Sequence, residues 1–234
     1  MTRVFDIEPI FFERFDGMHI VVYVVDGVDS SHAGGALLED WREAYSQAGQ
    51  LNVANAQSHP RVKSFRESFK AAGVSMKKFP ISIEAMLRRA MKGGDAFRIN
   101  PVVDFYNTVS LRHVCPAGAF DLDAMDNQID LRLTRAGDTF TALDSDDVIS
   151  LEAGEMAYAT GRDVITRHFM WRQSRLGLVD TNSTRLFFVA EVPGVAGLET
   201  ADAILEDFRT GLKDHFGVAG VGAVLHSDSR RFEF

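Results

Sequence analysis

The sequence lacks most of the residues that usually announce a reaction. Its single cysteine, Cys115, excludes a disulfide framework and any cysteine-rich zinc site. Cys115 stands between His113 and Pro116 with no third group to orient the pair, so a thiol nucleophile is not expected. The seven histidines are scattered without helical ligand pairs, and no metal is expected. A phosphate-loop lysine signature and a Gly-x-Ser-x-Gly elbow are both missing. Gly217, Gly220 and Gly222 come too late in the chain for a dinucleotide helix to follow, so no cofactor is expected either. The six prolines and 19 glycines are ordinary, which excludes collagen-like and low-complexity classes. No apolar run approaches the ~18 residues of a membrane-spanning helix. The opening Met1-Thr2-Arg3-Val4-Phe5-Asp6 lacks the basic and apolar regions of a signal peptide. A cytoplasmic location without a membrane partner is the expectation.

What is present is a globular composition: 234 residues, 46% hydrophobic and 25% charged. A chain of this length buries roughly 70% of its extended surface and needs no staple. The expectation is one domain over residues 1–234. The formal charge of −8 argues against indiscriminate coating of nucleic acid, and DNA is not expected as a partner. The charge is unevenly spread, however. Between residues 61 and 98 ten basic residues face three acids, while residues 121 to 152 carry nine acids against Arg132 and Arg135. Such clusters suit solvated faces, and the basic one also suits a polyanion such as a tRNA backbone. Arg66, Lys70, Arg88 and Arg89 are the candidates for that contact.

Residues 20–25 are apolar and β-branched and predict a buried strand, with residues 5–12 as its partner. A helix is predicted over 36–48. Pro60 opens another, with Val62, Phe65 and Phe69 on one face and Lys63, Arg66 and Lys70 on another. Ser82 is a candidate cap for a helix that buries Ile83, Met86, Leu87 and Ala90, projects Arg88 and Arg89 elsewhere, and ends at Gly93-Gly94. Asn100-Pro101 caps and starts a helix that buries Val102, Phe105 and Val109. Beyond Gly118 the period becomes two: Ile129, Leu131 and Leu133 alternate with Asp130, Arg132 and Thr134. Short strands are predicted near Phe140, 156–159, 164–169 and 186–192. A helix over 199–216 has the stripe Ala201, Ile204, Leu205, Phe208 and Leu212, and a glycine-rich strand over 218–226 follows it. Helices and strands mix without a strict βαβ period, which predicts an α+β fold.

One stretch carries more. Asn100-Pro101-Val102-Val103-Asp104-Phe105-Tyr106-Asn107 is followed by Pro116-Ala117-Gly118-Ala119-Phe120-Asp121. The alternating strand to Leu133, Gly137-Asp138-Thr139-Phe140 and a strand ending at Tyr158 come next. In this order the residues resemble the B3/B4 domain of the bacterial phenylalanyl-tRNA synthetase β subunit, and Trp171-Arg172-Gln173-Ser174 resembles its free-standing relatives. The resemblance spans roughly residues 60–195, and the segments outside it read as extra N- and C-terminal packing elements. It implies a compact B3/B4-like mixed sheet with flanking helices and a pocket between helices and strands. It also implies an editing module that hydrolyses tyrosine wrongly attached to phenylalanine-specific tRNA. The family's pocket histidine, directly before Ala-Phe-Asp, falls on Gly118. Its hydroxyl-recognising glutamate falls on Arg172 when Phe169 and Ser174 are aligned, and the preceding glycines fall on Met170 and Trp171.

The implied activity is a free-standing aminoacyl-tRNA editing hydrolase acting in trans on mischarged tRNA. An aminoacyl ester is already activated, so a held water and donors for the oxyanion suffice. The expected cleft lies between the helix 100–112, the loop 118–121 and the loop 170–174. Gly118 and Ala119 are candidate backbone donors. Arg172 is a candidate fork for a carboxylate, a phosphate or the oxyanion. Trp171 suits stacking on a base, covering the ligand, or packing on Arg172. Gln173 and Ser174 suit orienting water or hydroxyls, and His168 suits either a proton carrier or a satisfied structural histidine. The substrate-binding set further includes Asn100, Asp104, Asn107, Phe120 and Asp121. Of these, Asp104 and Asn107 also suit loop support, Phe120 the core, and Asp121 a turn cap. The alternative is a non-catalytic module of the same fold for tRNA or an amino-acid-like ligand; a protein that keeps only the fold is the third reading.

Overall fold

The computed structural model describes residues 2–234. Strand β1 (Val4–Ile7), helix α1 (Ile10–Arg14) and strand β2 (His19–Val25) open the chain. Four helices follow: α2 (Ala36–Gly49), α3 (Pro60–Ala71), α4 (Ser82–Met91) and α5 (Pro101–His113). The next segment is strand-rich, with β3 (Ala117–Asp121), β4 (Gln128–Leu133), β5 (Thr139–Thr141), β6 (Val148–Ser150), β7 (Met156–Thr160), β8 (Asp163–Arg167), β9 (Arg172–Gln173) and β10 (Leu186–Val192). Helix α6 (Gly197–Phe216) and strands β11 (Gly220–Leu225) and β12 (Arg231–Glu233) complete it. The fold is α+β, and no described helix is long and apolar enough to cross a membrane.

The strands form two mixed-order sheets. The larger runs β12-β1-β4-β7-β8-β5-β6, with β9 added to β8; the smaller runs β11-β2-β10-β3 and is antiparallel throughout. One core lies between the sheets and under α1 to α4, where Phe5, Val22, Leu131, Tyr158 and Phe187 meet. The second lies on the opposite face of the smaller sheet, where α5 and α6 cover it with Val102, Phe105, Ile204, Phe208 and Leu212. The helical stripes read from sequence are the buried faces: Val62, Phe65 and Phe69 on α3, and Ile83, Met86, Leu87 and Ala90 on α4.

Local signals end up where the chain placed them. The Asn100 side chain accepts from the Val103 N–H at 2.9 Å, and Pro101 takes the first turn of α5, where its missing N–H costs nothing. Three expectations change. Residues 5–12 do not pair with β2: β1 pairs β4 in parallel and β12 antiparallel, and Phe11 and Phe15, four apart, turn a helical face onto Phe169. Ser82 is not a cap. Ile81 holds that position, and the Ser82 N–H instead donates to the Met170 carbonyl at 3.1 Å, tying α4 to the loop after β8. Arg132, expected to face solvent, is buried in a two-bond pair with Asp138 and also donates to the Gly161 carbonyl at 2.9 Å.

Candidate functional site

Strand β10 has the sequence Leu-Phe-Phe-Val-Ala-Glu-Val and is buried along its whole length. Period two sends Leu186, Phe188, Ala190 and Val192 into the helix-covered core and Phe187, Val189 and Glu191 toward the larger sheet. Glu191 therefore enters an apolar interior, and Tyr158 from β7 meets it. The Tyr158 hydroxyl donates to Glu191 Oε1 at 2.6 Å. Burial pushes the Glu191 carboxyl up to about 8, so it is mainly neutral at pH 7. The Tyr158 phenol is held well above its usual value by burial and then by Glu191.

On the neighbouring strand, Gly118 pairs with Val189 and so lies on the same face, two residues from the level of Glu191. A Cβ built there meets nothing within 4 Å, so the missing side chain is open space above the sheet. That space is a cleft of about 470 Å³. Its floor is Gly118, Phe120, Val189, Glu191 and Tyr158. Helix α5 contributes Val103, Tyr106 and Asn107 as one wall, and α4 contributes Ser82, Met86 and Arg89 as the other. Phe169, Met170, Trp171 and Gln173 form the roof. Burial raises the Tyr106 phenol as well. The lining is mostly apolar with a few convergent polar groups, which is the usual make-up of a small-ligand site.

The roof is held under strain. His168 and Phe169 both have positive φ, at 44° and 66°, a region that bulky side chains avoid. Two anchors hold them there. The Phe169 ring is fully buried against Phe11, Phe15 and Tyr158. Glu155 accepts from the His168 N–H at 2.9 Å and from the Arg167 guanidinium at 2.7 Å. The His168 ring stacks on Phe79 with centroids 3.6 Å apart, and burial lowers its pKa.

The structure divides the sequence candidates. Gly118, Ala119, Phe120, Asn107, Trp171 and Gln173 line the cleft together. Arg172 and Ser174 alternate with Trp171 and Gln173 and do not line it. Arg172 pairs with Asp144 and lies 5.8 Å from the Trp171 ring, while the Ser174 hydroxyl donates to the Thr141 carbonyl at 2.9 Å. His168 also lies outside the lining, in a turn and not on a strand. Asn100 caps α5, and Asp104 accepts from the Ile99 N–H and the Arg98 guanidinium. Asp121 accepts from the Asp123 N–H at 2.8 Å and from the Ser183 hydroxyl. The ladder also separates Gly118 from Ala119. Leu122 donates to the Arg185 carbonyl and Glu191 to the Pro116 carbonyl. Antiparallel alternation between those bonds commits the Gly118 N–H to β10 and turns the Ala119 N–H off the open edge.

Of the four basic candidates, Arg66 is paired with buried Glu84 at 2.8 Å, Lys70 and Arg88 are exposed without ion pairs, and Arg89 lines the cleft. Glu191 and Tyr158 escaped the sequence reading, although a lone acid in an otherwise apolar strand was the signal for the first. Among the described residues no group of three or more histidine, cysteine, aspartate or glutamate side chains is gathered to hold a metal.

Fold and cleft together define an α+β domain with an apolar recess over a floor that carries the Glu191–Tyr158 pair. The chain belongs to the B3/4 domain family, whose model matches residues 65–201. Among solved structures it is similar to an N-terminal fragment of the phenylalanyl-tRNA synthetase β-subunit from Pyrococcus horikoshii, with 12% identity and a TM-score of 0.46. That match covers 98% of this chain and 53% of the other, so the chain spans about half of that fragment. No curated protein matches the sequence.

Proposed function

We propose that the chain is an aminoacyl-tRNA editing hydrolase acting in trans, with the amino-acid side chain of a mischarged tRNA held in the cleft. The observation that carries this is an apolar recess of about 470 Å³ whose floor ends on the Glu191–Tyr158 pair, in a member of the B3/4 family. A recess of that size accepts one amino-acid side chain and its ester. The neutral Glu191 carboxyl accepts and donates hydrogen bonds without demanding a counter-charge from the ligand. The Ala119 N–H on the free sheet edge, with Asn107 and Gln173, supplies polar groups for a water and a developing oxyanion. Exposed Lys70 and Arg88 are among the cations left for the RNA backbone. The test is a deacylation panel of mischarged tRNAs, in which at least one member is expected to lose its amino acid faster than in buffer; no release above buffer on any member refutes the reading.

A second reading, ligand binding without catalysis, is favoured by one observation: neither His168 nor Arg172, the two catalytic side chains expected from the sequence, faces the cleft. Ligand-dependent thermal stabilisation without turnover on the same panel is its expected signature.

A further inference from the structure

Arg89 is the one arginine or lysine that lines the cleft among the described residues. Many arginines of the chain are committed to acids, including Arg66 to Glu84, Arg98 to Asp104 and Arg167 to Glu155. Arg89 has no acid partner. Its guanidinium instead lies 4.1 Å from the centroid of the Phe97 ring. That ring is itself fixed: Trp41 packs edge-on at 5.5 Å, and the Trp41 indole N–H donates to the Phe97 carbonyl at 2.7 Å. The shelf orients a planar cation at the solvent-facing end of the cleft and leaves its N–H edge unspent. The buried end carries the neutral-leaning Glu191. The two ends thus differ, with a permanent positive charge outside and an uncharged hydrogen-bonding group inside.

We propose that Arg89 is the anion anchor of the cleft, holding the terminal phosphodiester of the RNA whose aminoacyl group enters below it. The assignment rests on the reading of the cleft given above, and the experiment separates the two. Two hydrolysis-resistant probes are titrated: the CCA trinucleotide carrying an amide-linked phenylalanine, methionine or leucine, and the matching aminoacyl-adenosine without phosphate. Wild-type protein is expected to bind the trinucleotide at least tenfold more tightly than the adenosine. Arg89→Met, which keeps an apolar stem on Phe97, is expected to erase that preference, so that the two probes bind with similar affinity. Arg89→Lys retains part of it, because the charge remains while the fork is lost. The salt dependence of trinucleotide binding is expected to shrink by about 0.7 in log–log slope in the methionine variant, one phosphate's worth for a single strand. Trinucleotide binding that survives Arg89→Met with its slope intact overturns the anchor and leaves the cleft reading standing. Absence of binding of either probe to wild-type protein overturns both. Binding that depends on Arg89 without turnover on the corresponding ester upholds the anchor and removes only the hydrolysis.

Discussion

Strand β10 separates two interiors that contrast in how completely they are filled. On the side of Phe188, helices α5 and α6 press apolar side chains onto the sheet and onto each other: a Cβ on Gly211 falls 2.4 Å from the Phe105 ring. On the side of Glu191 the same sheet carries a glycine whose Cβ would meet nothing, a buried acid, and a strained roof held by Phe169 and Glu155. One face is packed with apolar side chains. The other gives up packing, buries a carboxyl and holds unfavourable backbone angles to keep a recess open. Departures from the best local choice that gather in one place mark function better than any single residue does.

Substitutions on the two sides should therefore behave differently. The largest effect is expected for Phe208→Ala in the filled interior, a loss of about 3–5 kcal/mol in denaturant unfolding, because its cavity has no route to collapse. Glu191 gives the open side a pH signature. Its folded pKa lies above the unfolded value, so its favourable contribution is complete below about pH 4.5 and is lost as pH rises toward about 8. Stability in that window should fall by up to about 1.4 kcal/mol per pH unit from this group, and Glu191→Gln should remove that slope. Gly211→Ala should cost about 1–3 kcal/mol by overpacking against Phe105. Gly118→Ala should do the opposite, raising stability by about 0.5 kcal/mol through a less flexible unfolded chain. If the two alanine variants shift stability alike, the contrast between the interiors is wrong.

The helices were legible because their signals are local: Asn100 and Pro101 start α5, and the spacing of Phe65 and Phe69 marks the buried face of α3. The partners of β1 were not, since they lie more than a hundred residues away in β4 and β12, and no local pattern encodes that register. At the site, Trp171 and Gln173 were expected in the cleft and line it, but their neighbour Arg172 was expected there with them and does not. The two-residue alternation of a strand already argues that all three cannot face one way. Arg89 was read as an outward-facing candidate for the RNA backbone and not as a cleft residue, because the pattern of α4 shows which face is polar and not that Phe97 and an open cleft lie across from it. Glu191 was passed over because a carboxyl in a wholly apolar strand looks like a lapse of pattern until Tyr158 supplies its partner.

The most direct measurement is the rate of amino-acid release from the panel of mischarged tRNAs by wild-type protein and by Gly118→Phe. The substitution fills the cleft from a position where a side chain meets no neighbour at its first atom. Wild-type protein is expected to deacylate at least one tRNA, and the filled variant is expected to lose that activity while unfolding at the wild-type temperature or above. Equal release by both proteins would place the reaction outside the cleft, and no release by either would contradict the hydrolase altogether.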